Sequence, residues 1–217
     1  MSDFEAARRS MVNSQLKPNQ VVDGRVADAM AQVPRELFVP NGLADVAYVD
    51  EDLPIAPGRF LMEPVVFARL LQAAKIKLDD VVLDLGCGTG YSTAVLAKLG
   101  GTVVAMEPDT ELRAQAEQAM TKMSADNAVI VDGDLIEGAP GQGPFDVIFL
   151  NGSAEEIPEG LRDQLAEGGR LVAVKNIGGI GKAMVFERQG ALFRARELFD
   201  ASIPLLPEFA KSSRFVF

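Results

Sequence analysis

The chain has 217 residues, enough for one large domain or a domain with a substantial appendage, and its 48% apolar and 24% charged residues supply a sizeable core. A formal net charge of −10 sets its surface against phosphate backbones, which argues against nucleic acid as a main partner. One cysteine and no histidine exclude an internal disulfide, a cysteine-rich zinc site and the commonest general base, so no metal is expected. The opening Met1-Ser2-Asp3-Phe4-Glu5 has no apolar signal-peptide core. No apolar run is long enough to span a bilayer, so the expected location is cytoplasmic, without a membrane partner.

In chain order, the first third reads as helical. Phe4 to Leu16 has apolar residues at roughly helical spacing, with Ser2 or Asp3 as N-cap. Val21 to Val33 repeats the pattern, opened by Asp23 and stopped by Pro34. Val39-Pro40-Asn41-Gly42 is a turn, and Tyr48 to Gly58 is expected to be irregular because Pro54, Pro57 and Gly58 prevent a long helix. Glu63-Pro64 opens a helix to about Ala74.

From Asp80 the rhythm changes to strand and helix in alternation. Strands are expected at Val81–Leu85, Thr102–Met106, Ala128–Val131, Phe145–Leu150 and Arg170–Val174. Helices are expected at Tyr91–Leu99, about Thr110–Met123 and about Pro158–Leu165. Continuous apolar strands between helices predict an α/β fold with a doubly wound, mostly parallel sheet. Ala183–Glu187 and Leu192–Leu198, joined across Gln189-Gly190, predict a closing antiparallel hairpin. The organisation expected is a single domain over 1–217, with an N-terminal helical cap at 1–78 on the substrate side of an α/β core at 79–217. A parallel sheet closed by such a hairpin resembles the class I methyltransferase fold, which ends in the same way.

The chemistry is concentrated after the first strand of the core. In Asp84-Leu85-Gly86-Cys87-Gly88-Thr89-Gly90 the glycines lie where open α/β sheets bind ligands, and they let backbone approach a ligand closely. A dinucleotide fingerprint would space its third glycine one residue later, where Tyr91 stands. Asp84 would repel a pyrophosphate but suits the ammonium of a methionine moiety, which favours S-adenosylmethionine over NAD. Glu107 ends the second core strand about 20 residues on, placed for ribose hydroxyls. Asp134 follows the third, placed for the adenine amino group. Each acid alone could be an ordinary turn or cap residue; the three in register point to a nucleoside site. Cys87 has nothing basic beside it in sequence and reads as a small residue between glycines.

The chain resembles the protein-L-isoaspartate O-methyltransferase family. The likeness runs through Met11-Val12, Gln15-Leu16, Val33-Pro34-Arg35-Glu36, Phe38-Val39-Pro40, Ala47-Tyr48 and Leu53-Pro54-Ile55. It continues through Asp84 to Tyr91, Gly133-Asp134, Pro144-Phe145-Asp146, Glu156-Ile157-Pro158 and Gly168-Gly169. The resemblance implies methyl transfer from S-adenosylmethionine to the α-carboxyl of an L-isoaspartyl residue in a damaged protein or peptide, leaving S-adenosylhomocysteine and beginning repair. It implies cofactor contacts from Asp84, Gly86, Cys87, Gly88, Thr89, Gly90, Glu107, Asp134, Leu135 and Asn151.

The departures fall on the acceptor side. The family pattern Gly-Gln-Thr-Ile-Ser-x-Pro reads here Gly58-Arg59-Phe60-Leu61-Met62-Glu63-Pro64, so Met62 stands where the family has its active-site serine. Arg59 could pair with an acidic substrate, or could be a solvated loop residue. Two alternatives therefore stay open: a methyltransferase with another acceptor, and a cofactor-binding homologue without transfer.

Overall fold

The computed structural model describes residues 3–211. Its frame is a seven-stranded sheet in the order β5-β4-β3-β6-β7-β8-β9, with a separate two-stranded hairpin β1-β2. The sheet strands are β3 (Val81–Leu85), β4 (Thr102–Met106), β5 (Ala128–Val131), β6 (Phe145–Ala154), β7 (Leu165–Ile177), β8 (Ile180–Gln189) and β9 (Leu192–Asp200). β5 through β7 pair in parallel; β7-β8 and β8-β9 are antiparallel. Val82 and Leu83 are both fully buried, as expected of a parallel strand covered on both faces. Val82, Val103, Val147 and Phe149 join one core, while Leu83, Val104, Ile148 and Leu150 join another on the opposite face.

The chain leaves β3 toward β4 on one side and returns to pair β6 on the other. A crevice forms outside the carboxyl ends of strands at such a reversal. Here it opens beyond Leu85 and Leu150, the last paired residues of β3 and β6.

Helices pack around this frame. α2 (Gly24–Gln32) is capped by Asp23, whose side chain accepts from Arg25 and Val26, and it ends before Pro34. α3 (Pro64–Ala74) starts with proline in its first turn. α4 (Tyr91–Leu99) and α5 (Thr110–Met123) connect the first three sheet strands. α1 (Phe4–Ser10) is capped by the Asp3 side chain; Ser2 lies outside the described residues. The expected single helix to Leu16 instead widens over Met11–Leu16, where Lys17 N donates to Val12 O five residues back.

The structure departs from expectation in two further places. The segment Tyr48 to Gly58, expected to be irregular, contains β1 (Leu53–Ala56), which turns through Pro57 and Gly58, with Gly58 at φ 72°, to pair with β2 (Arg59–Leu61) just beyond it. Proline followed by glycine suits the two central positions of a tight turn, which is what forbids a helix there and makes a hairpin. The helix expected to Leu165 is only α6 (Glu159–Asp163), because Leu165 already joins β7 beside Phe145. Beyond β9 the chain doubles back. Ser153 N donates to Pro204 O and Leu206 N donates to Ser153 O, each at 3.0 Å, which ties this tail to the end of β6.

Candidate active site

The glycine turn sits at the crevice. Gly86, Gly88 and Gly90 have φ of 69°, 58° and 93°, a left-handed region costly for other residues. Gly86 N and Cys87 N both donate to Met106 O, at 2.9 and 3.2 Å, so the turn is braced against the end of β4. Thr89 Oγ1 donates to Phe38 O at 2.6 Å and ties the turn to the N-terminal region. Cys87 is buried, and its thiol is pushed well above its ordinary value by that burial and by the charges of Asp84 and Glu107. An un-ionised thiol is not a nucleophile.

Glu107 is turned back over the glycines. Its Oε2 accepts from Gly88 N at 2.8 Å, and its Oε1 accepts from Asp109 N at 3.1 Å. Arg59, from β2, donates through Nη2 to the same Oε1 at 2.6 Å. Both side chains of this ion pair are withdrawn from solvent, at 8% and 0% exposure, and burial raises the Glu107 pKa against the pull of Arg59. Arg59, which the sequence left open between an acidic substrate and solvent, is therefore buried against Glu107. A β-carbon on Gly86 would stand 3.3 Å from Arg59 Nη1, 3.4 Å from Leu206 Cδ1 and 3.5 Å from Leu135 Cδ1. One on Gly88 would stand 2.6 Å from Ile55 Cδ1.

Asp84 is fully buried at the end of β3. Ser92 and Thr93 hydroxyls donate to its Oδ2 at 2.8 and 2.7 Å, and the Asn151 amide donates to its Oδ1. Burial nonetheless raises its pKa to about 6. Asp134 is exposed and accepts from Ile136 N at 2.8 Å, whereas Leu135 is buried and faces the glycine turn. The structure thus brings the glycines, Glu107, Leu135 and Arg59 together, with Asp84 and Asn151 behind them and Asp134 at the rim.

Met62 is buried and lines a cavity of 10 Å³ with Ile55, Phe60, Cys87, Tyr91 and Asn151. A second cavity of 10 Å³ lies between Met62, Asn151, Gly152 and Leu206. Sites for ligands of this size usually hold about 300–1,000 Å³. The donor set fits a ribosyl cofactor, since Glu107 offers carboxylate oxygens over a cradle that tolerates no side chain. The space is filled, and by side chains that the hairpin and the tail carry.

Four contributors escape a reading of the sequence: Ile55, Leu206, Arg35 and the Ser92-Thr93 pair. Only the last leaves a signal, two hydroxyls in the first turn of an otherwise apolar helix. Arg35 is fully buried, donating to Ala47 O at 2.6 Å and Met62 O at 2.7 Å with its guanidinium 5.0 Å from the Tyr91 ring. It holds the Met62 loop through a backbone carbonyl. Arg35→Met is expected to lower stability by about 2–4 kcal/mol, because two buried carbonyls lose their donors. A urea melt checks this, and faster amide exchange at residues 61–63 should accompany the loss.

The sequence model of the family described as Protein-L-isoaspartate(D-aspartate) O-methyltransferase (PCMT) matches residues 7–201. A Protein-L-isoaspartate O-methyltransferase of Koribacter versatilis (strain Ellin345) is 36% identical over 207 residues, covering 95% of this chain and 93% of that protein. Protein-L-isoaspartate O-methyltransferase 2 of Anaeromyxobacter sp. (strain Fw109-5) is 40% identical over 171 residues, covering 79% of this chain and 70% of that protein. A solved protein-L-isoaspartate O-methyltransferase superposes over 91% of this chain with a TM-score of 0.79 at 25% identity; the match spans 65% of that structure's length. A beta-aspartate methyltransferase (PCMT) structure from Plasmodium falciparum, in complex with S-adenosyl-L-homocysteine, gives a TM-score of 0.80 over 93% of this chain and 98% of that one. At 24% identity the latter speaks to the fold alone. The near-full-length match and the shared sheet make this chain a member of the protein-L-isoaspartate O-methyltransferase family.

Proposed function

We propose that the chain is an S-adenosylmethionine-dependent carboxyl methyltransferase acting on L-isoaspartyl residues of damaged proteins, a cytoplasmic repair enzyme. The observation that carries this reading is Glu107, held over the left-handed glycine turn at the switch point of a family-matched fold. When bound, the cofactor supplies an electrophilic methyl group on a sulfonium. Glu107 would accept hydrogen bonds from its ribose hydroxyls. Gly86 to Gly90 and Leu135 would lie against its nucleoside, and Asp134 at the rim would receive the adenine amino group. Asp84, through Asn151, would bias the inner end toward an ammonium.

The acceptor needs little chemistry from the protein. A carboxylate with a pKa near 4 is already ionised at neutral pH, so its transfer is a matter of positioning rather than proton removal. The absence of histidine is compatible with that and counts against amine and phenol acceptors. Residues 1–78 would form the substrate-side cap over the 79–217 core, with Phe60, 37% exposed, at the entrance and Met62 lining the apolar inner wall.

An assay with an isoaspartyl peptide, its aspartyl control and labelled cofactor tests the reading. Transfer to the isoaspartyl peptide alone is expected, and no transfer above the control would sink the assignment. Met62→Ser should restore a hydroxyl that orients the acceptor and raise kcat/KM by about tenfold, the worth of one well-placed hydrogen bond.

A further inference from the structure

We infer that Arg59 is an internal latch: its guanidinium takes the place on Glu107 that a ribose diol would take, so the closed hairpin and tail must swing away before the cofactor enters. The inference rests on the cofactor assignment above. It follows from what fills the cradle. Arg59 Nη2 is 2.6 Å from Glu107 Oε1 and 3.5 Å from Glu208 Oε1, so one guanidinium ties β2 to both the core and the tail. Its Nη1 is buried without a hydrogen-bond partner among the described residues and lies 3.3 Å from where a Gly86 β-carbon would be. A β-carbon on Gly152 would lie 2.5 Å from Leu206 Cγ, so this glycine lets the tail lower Leu206 into the same space.

The arginine of the latch departs from the family pattern. Arg59 stands where the pattern has glutamine. Neither part of the latch is a strand of the seven-stranded sheet. The hairpin has two short strands. The tail is fixed to β6 by the Ser153 backbone bonds. An arginine side chain and a ribose cannot fill the same space against Glu107, so ligand affinity is lowered to the extent that the closed form is populated.

Calorimetric titration of S-adenosylhomocysteine into the wild-type chain, Arg59→Ala and Leu206→Ala tests this, with circular dichroism to check each fold. Arg59→Ala leaves Glu107 its Gly88 and Asp109 donors, and Leu206→Ala removes a plug without touching the carboxylate. Each variant should bind at least tenfold more tightly than wild type. Equal or weaker binding by the folded variants overturns the latch while leaving the cofactor assignment intact. Binding by none of the three proteins overturns the assignment and the latch together.

Discussion

Glu107→Gln is expected to cost the fold roughly 3 kcal/mol, because it leaves the Arg59 guanidinium buried without its carboxylate. Breaking a buried pair from one side is far more damaging than removing both charges, since the survivor keeps its desolvation penalty. Glu208 softens the loss, standing 3.5 Å from Arg59, but its side chain is 30% exposed and the compensation is partial. For a chain of 217 residues this corresponds to a fall in melting temperature of about 6–12 °C. A loss below about 1 kcal/mol would mean that the pair is not held as described. Arg59→Met in the same background should recover most of the stability, and a coupling energy above about 1 kcal/mol in the double-mutant cycle would register the direct contact. The doubly neutral protein should fold but hold the cofactor poorly, having lost the charged acceptor for its ribose.

The frame around this pair is legible in the sequence because it is built from strong, local signals. Val81–Leu85 and Thr102–Met106 are apolar runs bounded by turn residues, and the structure assigns those same spans to strands. The closing hairpin was visible in its Gln189-Gly190 turn; the two strands extend by a few residues because β8 finds partners on both sides. What is not legible is long-range closure. Nothing near Arg59 in sequence says that its partner is Glu107, 48 residues away. Nothing in Ile203-Pro204-Leu205-Leu206 says that a proline-broken tail will pair with Ser153 and reach Gly86. Arg35 is equally silent, since its partners are backbone carbonyls, and every residue has one. Pattern reveals elements; the filling of a cradle depends on contacts that only the assembled chain makes.

Asp84→Asn is expected to make the protein more stable and a poorer ligand binder at once. The carboxyl ordinarily titrates at 3.8 and is raised to about 6 here by burial, which outweighs the hydrogen bonds from Thr93, Ser92 and Asn151. Between those two values the folded chain holds a proton that the unfolded chain has released. The contribution to stability is therefore full below about pH 4 and is lost as pH rises through 6, amounting to roughly 3 kcal/mol by neutral pH. A neutral amide of the same shape removes that dependence. The Ser92 and Thr93 hydroxyls can turn to accept from the new amide, and the Asn151 amide can flip, so the cage remains satisfied. The variant should gain about 1–3 kcal/mol at pH 7.5, with a shallower fall in stability from pH 4 to 6.5 than wild type, the remaining slope coming from carboxyls such as Glu63, which burial raises to about 7; urea melts across that range measure it. Its affinity for S-adenosylhomocysteine should fall about tenfold or more, as expected when an ionised acceptor is lost. A charge kept at a cost to stability belongs to a site rather than to packing. If affinity is unchanged while stability rises, the carboxylate serves only its own cage of hydroxyls and amide, and the inner end of the crevice must find its ammonium partner elsewhere.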